Sequence, residues 1–472
     1  MKNLRLCWAA FGLCVSLGVS AQRGSCGTGV SWALADGTLT ISGEGNMTDF
    51  TDPRYGSSNL PSWDIYKDNI VKVVIEGGVK HVGSYAFYDY SNLQAVTFAE
   101  GVKSIGSSAF YGCEGIKELL FPSSMKIISG QHNTNEDAEP QVSTFGMGGT
   151  GTAYMSSEAF RGCAGLTSVT IPRGVIGVGS GTFKNCRNLK SVYWDVADYP
   201  SYGFSTANEN GFRDYGTQGS SPFSGCRLKE VVFGSEVDSI PGGLLYGQSE
   251  LSAIKFSGKT EYVGKDAFKE TVWFDNLPNG LVYIDKAAYA FKGLMSTPTA
   301  ISIAEGTKSI TEGLFANQTY LTKVTVPSTL TYMGYEVFEG CRSLGEVEWN
   351  AEDCKFGQTY GAPFSATALY TITFGEKVRK IPDGLCSGCR YITEVKMPAS
   401  VVEVGESAFS DCSGLEAVGF SENMTSIEAR AFLDCAKLSE LILPNSLREI
   451  GENAFSGCTG LETLSIPESV DS

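Results

Sequence analysis

One pattern of 23 residues recurs along most of this chain and constrains its fold more than any other feature. It is clearest in the last quarter of the sequence, where four cysteines follow one another at intervals of 23 residues. In the last three copies an Ala-Phe pair precedes the cysteine, and a leucine follows it by three residues. A second apolar residue comes three positions after that leucine. The four cysteines are Cys389, Cys412, Cys435 and Cys458.

A unit this short cannot fold alone. Its apolar side chains offer about 10–15 kcal/mol on burial, whereas ordering the backbone costs about 1–2 kcal/mol per residue. Each copy must therefore bury its apolar side against its neighbours, which makes the chain a solenoid. The Leu-x-x-Val-x-Ile half predicts a short strand, and the Ile-Gly-x-x-Ala-Phe-x-x-Cys half predicts a short helical turn, α or 3₁₀. The predicted fold class is α/β, a right-handed solenoid with a parallel β-sheet on its concave side and helical turns on its convex side.

The first residues have the features of a secretion signal. Two cations, Lys2 and Arg5, precede an apolar run, and Val19-Ser20-Ala21 is a small-residue cleavage site. The run is too short to cross a bilayer comfortably. We therefore predict that residues 1–21 are a signal peptide and that the protein is exported, either to the cell surface or into the medium.

The rest of the chain divides into a non-repetitive start and a long array. Residues 22–80 do not follow the 23-residue spacing, and Asp36-Gly37 lies between two alternating runs, so this part predicts a β-hairpin cap with a first strand. Residues 81–472 are predicted to form the solenoid. Longer intervals between copies predict inserts near 129–157, 195–221, 271–300 and 353–362.

The charge of the chain restricts its partners. The formal net charge is −16, and loss of Lys2 and Arg5 with the signal would bring it to −18. Phosphate-rich partners require clustered Lys and Arg, so this charge predicts binding neither to nucleic acid nor to anionic membranes. It favours a soluble protein that is not inserted in a membrane.

The repeated cysteine and phenylalanine positions predict two internal ladders. Tyr90, Gln248 and Gln318 occupy the cysteine position in other copies, so a required disulfide is not expected and the thiols are predicted to be free. Neighbouring coils are close enough that a disulfide between them stays geometrically open. The predicted ladder residues are Cys163, Cys186, Cys389, Cys412, Cys435, Cys458, Phe409, Phe432 and Phe455.

The sequence contains little that favours catalysis. Its two histidines are His81, beside a predicted core strand, and His132, within an insert. Two histidines cannot build a His-rich metal site, and no nucleophile signature accompanies them. We therefore predict no enzyme activity, no metal and no cofactor.

The pattern resembles a known family. The copy Ile450-Gly451-x-x-Ala454-Phe455-x-x-Cys458-x-x-Leu461-x-x-Leu464-x-Ile466-Pro467 is similar to the 23-residue repeat of BspA-like leucine-rich-repeat proteins. The opening from Cys26 to Met47 also resembles the start of that family. The resemblance implies a secreted or cell-surface protein that binds host or microbial proteins, with adhesion as its role.

The inserts are better candidates for selective contacts than the strand face, because insertions in a solenoid emerge on one side, which is often the binding side. The alternative is that they are tolerated surface loops without a binding role. The insert at 195–221 is rich in aromatic residues, and this favours a glycan as the alternative partner to an extracellular protein. The predicted partner-binding residues are Tyr193, Tyr199, Tyr202, Phe204, Phe212, Tyr215, His132 and Asn135.

Overall fold

The computed structural model is a stack of coils in which the chain passes alternately through two parallel ladders of strands. The structure describes residues 22–55, 59–129, 158–197, 221–357 and 362–471. We call the two ladders the long-strand ladder and the short-strand ladder, because strands of the second have only two residues in most coils. The predicted signal peptide at 1–21 lies outside the described residues.

The chain begins with an antiparallel meander. Its second hairpin turn, between β2 and β3, is Asp36-Gly37, and both residues have positive φ (48° and 73°), as a two-residue type I′ turn requires. The third strand of the meander then pairs in parallel with the first strand of the long-strand ladder. The meander strands are β1 (Gln22–Gly27), β2 (Val30–Ala35) and β3 (Thr38–Gly43); short 3₁₀ helices follow at Pro53–Tyr55 and Asp64–Asn69.

The long-strand ladder forms because apolar and polar residues alternate in the Leu-x-x-Val-x-Ile half of each copy. Its parallel register aligns equivalent residues, as in the row Val169, Val192 and Val231, all buried. The strands are β5 (Lys72–Ile75), β7 (Ala95–Phe98), β10 (Ser168–Ile171), β12 (Ser191–Trp194), β13 (Glu230–Phe233), β15 (Ala253–Lys255), β19 (Thr299–Ser302), β21 (Leu321–Val326), β23 (Glu346–Trp349), β25 (Thr371–Phe374), β27 (Glu394–Lys396), β29 (Ala417–Gly419) and β31 (Glu440–Leu441).

The short-strand ladder was not predicted as a sheet. It is formed by the residues just before the Gly-x-x-Ala-Phe segment of each copy. Its strands are β4 (Gly45–Asn46), β6 (Val79–Val82), β8 (Ser104–Ile105), β9 (Ile127–Ile128), β11 (Gly177–Val178), β14 (Ser239–Ile240), β16 (Tyr262–Val263), β18 (Ala287–Lys292), β20 (Ser309–Ile310), β22 (Tyr332–Met333), β24 (Lys355–Phe356), β26 (Lys380–Ile381), β28 (Glu403–Val404), β30 (Ser426–Ile427) and β32 (Glu449–Ile450).

The Ala-Phe-x-x-Cys segment consists of successive β-turns, and the prediction of helical turns there was wrong. In the copy around Phe409, the N–H of Ala408 donates to Gly405 O at 3.2 Å and that of Cys412 donates to Phe409 O at 3.3 Å. The third residues of these turns, Ser407 and Asp411, have φ of 54° and 57°, which ends any helical run. Alternate N–H groups bond to the next coil instead, for example Phe409 N to Ala431 O at 2.8 Å.

The passage at 271–300 interrupts the regular array. A one-turn helix, α1 (Val272–Asp275), is followed by β17 (Gly280–Ile284), which pairs antiparallel with β18. The ammonium of Lys292 donates to the carbonyls of Phe274, Asp275 and Leu277 at the end of α1. The hairpin is thereby fastened to the helix by a charged side chain that satisfies three backbone acceptors.

Stacked phenylalanine rings run through the interior of the coils. Ring centroids are 5.4 Å apart for Phe409 and Phe432 and 5.6 Å apart for Phe432 and Phe455, with interplanar angles of 6° and 5°. The same stacking joins Phe110 to Phe160 at 5.2 Å, although 50 residues separate them in the sequence. The insert between those two residues therefore leaves the stack of coils intact.

Candidate binding surface

The buried cysteines act as hydrogen-bond donors between coils. The thiol of Cys435 donates to Phe409 O in the preceding coil at 3.1 Å, and Cys186 and Cys458 make the equivalent bonds to Phe160 and Phe432 at 3.1 Å. Burial raises the pKa of the Cys341 thiol to about 11, so that thiol stays protonated and can donate. All twelve cysteines of the described residues are free thiols.

Glutamine occupies the cysteine position for the same reason. The side-chain amide of Gln248 donates to Phe223 O at 2.8 Å, and that of Gln318 donates to Gly293 O at 2.9 Å. In these copies the position holds a buried donor to a carbonyl of the preceding coil, whereas Tyr90 at the same position donates to Asp64 Oδ1. The shared donor role explains why residues as different as Cys and Gln alternate there.

His81 belongs to a hydrogen-bonded network inside the fold. Its Nδ1 lies 2.8 Å from Ser104 Oγ, and its Nε2 lies 3.3 Å from Asp49 Oδ1. The three residue types match a hydrolase triad, but His81 is 1% exposed and Ser104 is 5% exposed. A substrate could not reach the Ser104 hydroxyl without opening the short-strand ladder. The network is therefore structural, and it joins the β4–β6 connection to β8.

The same network changes the pKa of Asp49. Burial alone would raise that pKa, but hydrogen bonds from His81 and Ser84 hold the pKa of Asp49 well below its usual range.

The outward face of the long-strand ladder carries exposed tyrosines at its edge. Tyr320, Tyr370 and Tyr391 are 46%, 53% and 63% exposed, and they lie immediately before or close to the start of β21, β25 and β27. β25 and β27 belong to consecutive coils of the C-terminal half and β21 lies two coils before β25, so the three tyrosines lie near the same ends of these strands. We call them the tyrosine edge. Exposed tyrosine is a residue type that dominates binding energy at protein interfaces.

Tyr370 is held in place within this edge. Its hydroxyl donates to Glu346 Oε1 at 3.1 Å, and its N–H donates to Gly345 O at 3.0 Å. The ring lies so close to Gly345 that a Cβ at that position would clash with it. Glycine at 345 therefore lets the tyrosine lie flat over the neighbouring coil. Because the tyrosine side chain is already fixed, it loses less conformational entropy when a partner binds to it.

Of the eight predicted partner-binding residues, Tyr193 alone lies within the described residues. Tyr193 lies on the outward side of β12 and is 41% exposed. The other seven lie outside the described residues; they are Tyr199, Tyr202, Phe204, Phe212, Tyr215, His132 and Asn135. The sequence did not point to the tyrosine edge, because its three residues fall at two different positions of the repeat and belong to no motif.

The described residues that flank the inserts fall at two places in the coil. These flanking residues are 129 and 158, 197 and 221, and 357 and 362. Residues 129 and 357 directly follow β9 and β24 of the short-strand ladder, and 158, 221 and 362 precede the turn that contains the stacked phenylalanine. Residue 197 instead follows β12 of the long-strand ladder, so the first and third pairs of flanks lie between the short-strand ladder and the turn, whereas the second pair begins after a long strand.

The described ranges contain neither a candidate metal site nor a candidate membrane-spanning helix. No group of three or more His, Cys, Asp or Glu side chains there is placed to hold a metal ion. No helix in those ranges combines the length and apolar character needed to cross a bilayer.

The repeats match the model of a known protein family. The model of the BspA type leucine rich repeat region matches in six copies, over residues 58–136, 150–215, 214–288, 284–416 and 359–472. The chain belongs to the BspA-type leucine-rich repeat family. This family consists of repeat proteins, and the coils described above are its repeats. No curated protein matches this chain in sequence.

Three solved bacterial structures of similar repeat content resemble this BspA-type chain. A leucine-rich repeat protein from Eubacterium ventriosum is 19% identical, covering 95% of this chain and 97% of its own, with a TM-score of 0.30. One from Bacteroides ovatus is 21% identical, with coverages of 93% and 94% and a TM-score of 0.34. A leucine-rich cell surface protein from Faecalibacterium prausnitzii is 20% identical, with coverages of 94% and 93% and a TM-score of 0.26.

Proposed function

We propose that this protein is a non-catalytic, exported adhesion protein that binds an extracellular protein partner on the outward face of its long-strand ladder. The observation that carries the proposal is the tyrosine edge, three exposed rings within a run of four coils. The array presents several anchoring side chains together. The translational and rotational entropy of association is therefore lost once, although several contacts form.

The charges around the tyrosine edge favour a partner with basic side chains. Glu346 and Glu348 lie on the outward side of β23; Glu346 accepts from Tyr370 and has a long ion pair of 4.0 Å with Lys323, whereas Glu348 contacts Thr325 and Asn350 and no cation in the described residues. Arginine and lysine side chains of a partner can pair with these carboxylates and also pack against tyrosine rings.

In this proposal the segments near 129–157 and 195–221 supply selectivity. Both segments precede the turn that carries the stacked phenylalanine of the next coil, Phe160 in one case and Phe223 in the other. Residues 22–80 form the end cap of the array in the same proposal, because the third strand of their meander, β3, pairs with the free edge of the first ladder strand, β5.

The decisive experiment compares binding by wild type and by a Tyr320→Ala, Tyr370→Ala, Tyr391→Ala variant on a panel of immobilised matrix and microbial surface proteins. Loss of three interface tyrosines should weaken binding about 100-fold or more. The matched control removes three side chains that are equally or more exposed, through Tyr55→Ala, Ile65→Ala and Leu294→Ala. Equal binding by wild type and the tyrosine variant would contradict the proposal.

A second variant tests the inserts. Replacing 129–157 and 195–221 by short Gly-Ser linkers should preserve the unfolding transition, because the phenylalanine stack is continuous across both insertions. The same variant should lose discrimination between partners. Unchanged discrimination would refute the role given to these segments.

A further inference from the structure

Four cations form a compact group at the start of two adjacent long strands. Lys190 precedes β12 and Lys229 precedes β13, and the N–H of Lys229 donates to Lys190 O at 2.8 Å, so the two lysines are neighbours. Arg187 and Arg227 each follow a ladder cysteine on the same two coils, where Gly225 lies against Asn185. We call Arg187, Lys190, Arg227 and Lys229 the basic grid.

The basic grid is poorly neutralised. Arg227 has a long ion pair of 3.8 Å with Glu250, and the Lys190 ammonium donates to Arg227 O at 3.3 Å. Across the described ranges, Arg187, Lys190 and Lys229 form no ion pair with a carboxylate. Glu230 follows Lys229 in the sequence, and Glu250 on the next coil pairs with Arg227. Asp195 and Glu236 follow the other ends of β12 and β13, away from the four cations at the strand starts.

The overall charge of −16 does not cancel this local excess. At physiological salt the Debye length is about 8 Å, so most of the distant carboxylates are screened from a ligand that touches the grid. Contacts between the grid cations and an anionic group would form at about 3–4 Å, well inside that length.

The face beside the grid suits a sugar chain. Beside Tyr193, the outward side chains on β10 and β12 are the small hydroxyl residues Ser168, Thr170 and Ser191. These short side chains leave the sheet surface accessible to an extended ligand. Tyr193 pairs in register with Thr170 and is exposed, so its ring can pack against a sugar ring. The hydroxyls can exchange hydrogen bonds with those of a polysaccharide.

From these observations we infer that the basic grid, with Tyr193 and the adjoining hydroxyl face, binds an extended sulfated polysaccharide. This site is separate from the tyrosine edge and does not depend on the proposed protein partner. It also differs from a glycan site built on the 195–221 insert, because its residues lie on the strand face and on the turns before it.

The test measures binding of the full chain to immobilised heparin between 50 and about 300 mM salt. Neutralising the grid with Arg187→Gln, Lys190→Gln, Arg227→Gln and Lys229→Gln should weaken binding about 10- to 100-fold at low salt. It should also reduce the slope of log affinity against log salt by up to about four, one for each cation removed.

A matched control keeps the total charge change the same. Lys323→Gln, Lys377→Gln, Lys396→Gln and Lys437→Gln remove four exposed cations from other coils. The control variant should bind heparin within about twofold of wild type. Equal losses in both variants would overturn the assignment, because they would show a general charge effect.

Competition with other polymers identifies the chemistry. Dextran sulfate should displace the protein from heparin, whereas neutral dextran should not. Polyglutamate or single-stranded DNA that competes as well as dextran sulfate would overturn the assignment to a sulfated polysaccharide. Tyr193→Ala should weaken heparin binding without changing the salt slope, and Tyr391→Ala, a tyrosine outside the site, should leave it unchanged; the reverse order would contradict the role of Tyr193.

Discussion

Replacing one ladder cysteine tests whether its thiol acts as a donor or only as a small apolar group. Cys435 is fully buried, and its thiol donates to Phe409 O of the preceding coil at 3.1 Å. Cys435→Ala removes one buried heavy atom, which costs about 0.5–1.5 kcal/mol. It also removes the hydrogen bond, worth about 0.5–1.5 kcal/mol. The expected loss of unfolding free energy is therefore about 1–3 kcal/mol.

Serine separates the two interpretations. Cys435→Ser keeps a donor within reach of Phe409 O, so it should cost less than Cys435→Ala. At a purely apolar position the order reverses, because a buried hydroxyl without a partner costs about 1–3 kcal/mol. Cys26 provides the comparison, since it is buried and its thiol has no hydrogen bond in the part of the chain that the structure describes.

The assay is urea unfolding of the full chain under reducing conditions, followed by circular dichroism. Each variant is compared by its midpoint at unchanged slope, which reports a change in stability rather than in the surface exposed. We expect serine to be better than alanine at 435 and worse than alanine at 26. If serine is worse than alanine at both positions, the donor role of the ladder cysteines is refuted.

Three further predictions concern other parts of the fold. Lys292→Met should lower stability by about 1–3 kcal/mol and speed hydrogen exchange at 272–277, because three carbonyls lose a charged donor; unchanged exchange would contradict this. The pKa of Asp49 is depressed on folding, so its stabilisation is present above about pH 4 and lost as pH falls; the difference in urea midpoint between wild type and Asp49→Asn should shrink from pH 6 to pH 3, and a constant difference would count against it. Gly345→Ala should displace the tyrosine ring that covers it and weaken partner binding at least tenfold while changing the binding of heparin less than twofold; equal losses of both would argue against a local effect.

The stacking of coils could be predicted from the sequence, because every copy carries apolar residues that only a neighbouring copy can bury. Phe409, Phe432 and Phe455 form one column since each copy can bury its ring only against its neighbours. The long-strand ladder followed from alternation alone. The hairpin at Asp36-Gly37 followed from a turn sequence whose two residues adopt positive φ readily.

The turn half was harder to predict because its apolar spacing also fits a helix. The signal that was overlooked is the residue before each ladder cysteine, which is Asp, Asn or Gly in most copies, as at 411, 185 and 112. These residues tolerate left-handed backbone, and this favours β-turns over a helix. The same segment also hid the donor role of the cysteines, which depends on a carbonyl in the preceding coil.

The binding surfaces were hidden for a different reason. The basic grid joins residues from two copies of unequal length, and the net charge of the chain conceals it. The tyrosine edge likewise combines residues at different repeat positions. Both surfaces combine residues from different coils, so neither appears in any one stretch of sequence.

The most direct test of the proposed function places a photo-reactive benzoylphenylalanine at position 370 or at position 65 of the full chain, in its native setting. Tyr370 lies on the tyrosine edge, whereas Ile65 is 80% exposed in a 3₁₀ helix near the start of the chain. We expect irradiation to give a discrete cross-linked protein adduct from position 370 and none from position 65. Adducts from position 65 alone, or the same adducts from both, would contradict binding through the strand face.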